Sequence, residues 1–172
     1  MADTIAQFEH VISICRDLFV KKLKDYGASW RIMRPQSVTD QIFIKAKRIR
    51  SIETKGESKI DEGIRSELIG IVNYGIIGLI QLHLGYSDSE DITVERALDL
   101  YDKYMTETKE LMYAKNHDYD EAWRSMRISS YTDLILTKIC RTKQIENNNG
   151  KTLVSDCLLY TSPSPRDGLL SR

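Results

Sequence analysis

Apolar residues recur at spacings of three and four along most of this chain. Ile5, Phe8, Ile12, Cys15, Phe19 and Leu23 form one such stripe and predict a first helix. Asp25-Tyr26-Gly27 closes it, because Gly27 can take the left-handed cap conformation. Residues 28–36 read as a connector, with Trp30, Arg31, Arg34 and Pro35 in it. Ser37 or Thr39 is placed to cap a second helix, with Asp40 in its first turn, running to about Glu53. A third, strongly apolar helix is expected over residues 61–84, followed by a polar linker over 85–91. The plan then restarts. Val94, Leu98, Tyr101, Met105, Thr108 and Met112 mark a first helix, and Thr132-Asp133 opens a second that runs to about Glu146. No stretch alternates with period two, so the expected fold is all-α.

The restart is a repeat. Residues 25–53 return 93 positions later as residues 118–146, with 14 of 29 positions identical. Chance alone gives about 2 matches over such a stretch, and a fixed period marks repeat architecture. The expected organisation is therefore a tandem pair of three-helix units packed as a helical bundle. Copy one covers residues 1–86 and copy two residues 92–155. Copy two is expected to lack its third helix. From about Asp156 the sequence matches nothing in copy one, shows no helical period and holds two of the chain's three prolines. Residues 156–172 resemble translated adapter read-through and are expected to be a non-native tail. With no third helix in copy two, part of copy one's apolar surface is expected to stay uncovered, giving homodimerisation through the third helix or poor solubility.

Composition narrows the classes. The 172 residues are 41% hydrophobic and 29% charged, as in a globular protein. Lys+Arg and Asp+Glu both total 25, which argues against a long nucleic-acid backbone footprint but leaves room for a local phosphate pocket. Cys15, Cys140 and Cys157 have no metal-ligand spacing. Cys15 and Cys140 fall in apolar helical patterns and read as buried free thiols, which suits a reducing cytoplasm. No signal peptide is visible. The apolar run 68–84 carries Asn73, Gln81 and His83 and reads as a buried central helix rather than a membrane span.

The repeated polar set is where chemistry is sought. Arg31, Arg34, Lys45 and Arg48 are candidates to hold phosphates, with Trp30 shaping the base side. Their counterparts are Trp123, Arg124, Arg127, Lys138 and Arg141. Each has an ordinary structural reading too: a tryptophan fills a core, and arginines pair with Asp40 or Glu53. Asp25, Asp40 and Glu53 are the carboxylate candidates for metal or water. The third helix offers Asp61, Glu62 and Glu67, but a five-residue step sets Glu62 and Glu67 about 140° apart around a helix, a poor magnesium arrangement.

Residues 24–31, the run from Thr39 to Glu53, Asn73-Tyr74 and residues 116–124 resemble the nucleotide modification associated domain family. The likeness spans about residues 8–155, and its Asp-Tyr-x-x-x-Trp-Arg element is fairly specific. This family of bacteria and phages implies a protein that binds or processes nucleotides, or takes part in nucleotide or DNA base modification. A second implied reading is a magnesium-dependent all-α nucleotide pyrophosphatase, whose carboxylates would bring Mg2+ as cofactor. Ser66 and Gly70 stand where that chemistry needs an acidic pair. A third reading is a non-catalytic helical interaction module.

Overall fold

The computed structural model describes residues 4–56, 63–119 and 121–152. Five helices follow in order: α1 (Thr4–Tyr26), α2 (Pro35–Lys55), α3 (Ile64–Leu84), α4 (Val94–Tyr119) and α5 (Ile128–Asn147). Short 3-10 turns at Ser29–Ile32 and Ala122–Ser125 carry the two Trp-Arg elements. No strand occurs among the described residues, so the all-α expectation holds.

α3 is the hub. It packs most extensively on α2 and also touches α4 and α1. Ile76, Ile77 and Ile80 from α3 meet Phe19 and Leu23 of α1, Val38 of α2, and Leu100 and Tyr101 of α4 in one core. Burying each such aliphatic side chain is worth about 1.5–3 kcal/mol, so this convergence supplies most of the driving force. Phe19 stacks on Tyr101 with ring centroids 4.2 Å apart. α3 is long and apolar enough to cross a membrane by length and composition. Within the bundle, however, its polar groups are bonded. Asn73 Nδ2 donates to the Cys15 carbonyl at 3.0 Å, and Tyr101 Oη donates to Asn73 Oδ1 at 2.8 Å. Leu68 and Leu82 stay exposed on α3.

α5 packs on α2 in an antiparallel seam whose contacts come in reciprocal pairs. Thr39 Oγ1 donates to Glu146 at 2.7 Å, and Thr132 Oγ1 donates to Glu53 at 3.0 Å. Lys143 bonds Asp40 at 2.6 Å, and Arg50 bonds Asp133 at 2.7 Å. Adding the 93-residue offset turns each pair into its mate. This is the contact pattern of a twofold interface, here made within one chain.

Several boundaries differ from expectation. α2 starts at Pro35 and α5 at Ile128, with Arg34 and Arg127 as N-caps and no side-chain cap bond. Proline at the first helical position needs no N–H partner, which moves the start upstream of Ser37 and Thr39. Asp40 is thus beyond the first turn, and Thr39 serves the seam instead. Gly27 does take the left-handed conformation, with φ of 63°, and its N–H donates to the Leu23 carbonyl at 2.9 Å. Cys15 is buried as expected, but Cys140 is exposed, because α5 is packed on one side only. Asp61, Glu62, Cys157 and the proposed tail lie outside the described residues.

Candidate functional site

A cavity of about 510 Å3 opens in copy one between α1, the first 3-10 turn, α2 and α3. Phe19 and Leu23 of α1, Trp30 and Met33, and Ile77 of α3 form its apolar side. Tyr26, Tyr74, Lys22, Lys45, Ser66 and Glu67 supply the polar side. Its size and its mix of aromatic wall and few polar groups are those of a small-molecule site.

The polar side is built by α2 and α3 together. Lys45 and Arg48 lie three apart on α2 and share a face. Both reach the buried Glu67 of α3, Lys45 Nζ at 3.3 Å from Oε2 and Arg48 Nη1 against Oε1. Gly70 makes this possible, since a Cβ there would lie 2.8 Å from Lys45 Cε. The Lys45 ammonium also sits 5.9 Å from the Tyr74 ring centre. Two cations on one carboxylate leave the wall net positive, and Lys22 adds to it. At the rim, burial and then the neighbouring Tyr74 and Asp25 push the Tyr26 phenol above its ordinary value, so it remains an O–H donor at neutral pH.

Trp30 is 8% exposed, and its indole Nε1 has no hydrogen-bond partner among the described residues. Its repeat mate Trp123 donates to Asn116 Oδ1 at 3.0 Å. The copy-one residue at the Asn116 position is Leu23, which offers no acceptor. A buried donor left unpaired costs about 1–3 kcal/mol. Copy one therefore retains an unsatisfied N–H on a residue that lines the cavity.

The other candidates are dispersed. Arg31 is 2% exposed and used internally. It bonds Asp91 through two nitrogens, at 2.7 and 3.1 Å, the Gly85 carbonyl at 2.6 Å, and Gln81 Oε1. Gln81 in turn donates to the carbonyls of Trp30, Arg31 and Met33. This clamp fastens the linker between the copies to the first 3-10 turn. The Arg31 bonds hold the Asp91 carboxyl below its ordinary range. Arg34 is exposed beside the Tyr86 ring. The four cations of copy one thus do not form one cradle; only Lys45 and Arg48 come together. Asp40 and Glu53 lie in the seam with α5, and Asp25 is exposed at the end of α1.

In copy two, Arg124 bonds Glu121 at 2.6 Å, Thr4 at 2.5 Å and Gln7 at 2.9 Å, and lies 4.5 Å over the Trp123 ring. Arg127 is exposed as the cap of α5. Lys138 and Arg141 are exposed on α5. Lys22 and the unpaired Trp30 N–H were missed as site features by sequence reasoning, and Glu67 was weighed there only as a magnesium ligand and set aside. A glutamate inside an apolar helix, three residues before a glycine, was the available signal. No group of three or more His, Cys, Asp or Glu side chains able to share a metal occurs among the described residues. Glu67 is the one carboxylate among the residues lining the cavity, and both of its oxygens are taken by cations. The described residues do not fit a magnesium site.

The sequence profile of the family described as nucleotide modification associated domain 1 matches two segments, residues 22–82 and 115–160. The first segment contains every cavity residue from Lys22 to Ile77, and the second, shorter one contains the copy-two repeat. No curated protein and no solved structure gives a significant match.

Proposed function

The chain belongs to the nucleotide modification associated domain 1 family, and from that premise we propose that its copy-one cavity binds a nucleotide. The base lies against Phe19 and Trp30, an apolar and aromatic surface that suits a π-face. A base carbonyl accepts from Trp30 Nε1 and satisfies that buried donor. The phosphate meets Lys45 and Lys22 of the cavity lining, which offer charge-assisted bonds, with Arg48 beside Lys45 on Glu67. The observation that carries this reading is the unpaired Trp30 N–H in a cavity whose polar wall is net cationic. Membership of the family supports the nucleotide theme.

The test is a thermal-shift panel of ribo- and deoxynucleotides, each with and without magnesium. A rise in Tm for a subset of nucleotides, lost in Lys45→Gln, is expected. A flat panel from a folded sample, or a rise unchanged in Lys45→Gln, would contradict the proposal. The cavity carboxylate chemistry favours binding that does not require magnesium, so the metal should change the shift little.

One observation favours a second reading, a self-associating helical module. Leu82 is 68% exposed and Leu68 43% exposed, and fourteen residues on a helix bring them near one face. Light scattering of the unliganded chain tests it: a dimer supports this reading and a monodisperse monomer contradicts it.

A further inference from the structure

We propose that copy two carries a second, open site for a polyphosphate group, formed by Lys115 of α4 with Lys138 and Arg141 of α5. This inference does not depend on the copy-one cavity binding anything.

The α2–α5 seam follows a twofold, and the reciprocal α1–α4 ion pairs Arg16–Asp102 and Glu9–Lys109 repeat it, so positions 93 apart on these helices are equivalent. The two cations lining the cavity, Lys22 and Lys45, become Lys115 and Lys138, and Arg48, which bonds the cavity's Glu67, becomes Arg141. The apolar wall is not kept in the same way: Leu23 becomes Asn116 and Ile32 becomes Ser125. Copy two thus retains the charge of the site, and Trp123 in place of Trp30, with a more polar wall.

What differs is the counter-charge. In copy one, Glu67 of α3 lies against both Lys45 and Arg48. No described residue stands in an α3-like place over α5, and none of the three copy-two cations has a carboxylate partner among the described residues. The charged groups that act on Lys138 are Lys115 and Arg141, both cationic. Desolvation first, and then the positive charges of Lys115 and Arg141, push the Lys138 ammonium below its ordinary value. All three side chains are nevertheless exposed, so an anion can reach them. Lys138 and Arg141 present their heads from one helix face and Lys115 from another helix. Such a set takes several phosphate oxygens at once, where one carboxylate would answer only part of the charge.

The test is calorimetric titration of the full chain with tripolyphosphate at low ionic strength. Binding is expected to weaken at least about ten-fold in the Lys138→Gln/Arg141→Gln double variant, which removes two charge-assisted contacts. A charge-matched control, Lys21→Gln/Lys47→Gln, removes two exposed cations elsewhere and should change binding little. Absence of binding in the wild-type chain, or equal weakening in both double variants, would overturn the proposal. A single-stranded oligonucleotide that competes with tripolyphosphate would identify a nucleic-acid strand as the source of the phosphates. Failure to compete, with tripolyphosphate binding intact, would identify a free nucleotide. Failure of the cavity reading shows separately, as a nucleotide shift insensitive to Lys45→Gln.

Discussion

The Trp30-Arg31 corner and the Trp123-Arg124 corner have the same core sequence and opposite fates. Trp30 is 8% exposed and Trp123 is 38% exposed. Arg31 is sunk in a clamp with Asp91, Gln81 and the Gly85 carbonyl, whereas Arg124 lies over its tryptophan on the surface. The difference is α3. It brings Gln81 to three carbonyls of the first corner and Glu67 to Lys45 and Arg48, whereas at the second corner the Tyr131 hydroxyl bonds the Trp123 carbonyl and no described carboxylate meets Lys138 or Arg141. A repeated motif thus becomes a buried scaffold in one setting and an exposed surface in the other.

The largest expected effect separates the two arginines. Arg31→Ala should destabilise the chain by about 3 kcal/mol, the lower end for breaking a buried pair because Asp91 is half exposed. Arg124→Ala should cost about 0–1 kcal/mol, as exposed ion pairs do. Urea unfolding of both variants checks this, and equal losses would break the comparison. Next, Glu67→Gln should make copy one resemble copy two. It should cost about 1–3 kcal/mol, for a buried hydrogen-bonded group, and should tighten tripolyphosphate binding by calorimetry. Unchanged anion affinity would mean that Glu67 does not set the charge of the cavity.

A smaller effect tests the seam, which the two copies share. Thr39→Val and Thr132→Val each remove one of the reciprocal bonds and should cost about 1 kcal/mol apiece. Clearly unequal losses would argue against the twofold relation. The smallest is a pH effect. Arg31 bonds the charged form of Asp91, so the folded pKa lies below the unfolded one. That contribution is whole above the unfolded value, about 4, and is lost as pH falls through the lower folded value. Asp91→Asn should therefore flatten the acid limb of stability, read by circular dichroism between neutral and acidic pH.

The helices and the repeat were legible because both are local properties of the chain. Periodicity placed α1 to α5, and the 93-residue offset marked Thr39, Asp40, Glu53 and their mates as repeated positions. Their role was not legible, since which carboxylate meets which hydroxyl depends on how α2 and α5 cross. The starts of α2 and α5 were misplaced because Thr39 and Thr132 look like caps but bond across the seam. The burial of Cys140 was misread because its apolar neighbours are packed from one side only. The cavity was half visible: Trp30 and Lys45 were named, while Glu67 and Lys22 lie on α3 and α1 and meet them only through tertiary packing.

The central claim is that the copy-one cavity holds a nucleotide against Trp30. The chain has two tryptophans, so Trp123→Phe leaves Trp30 as the lone reporter. Titrating that variant with the nucleotides that raise Tm should quench or shift Trp30 emission saturably. Emission that stays constant through saturation of the thermal shift would contradict the claim, because a ligand bound there cannot leave the indole environment unchanged.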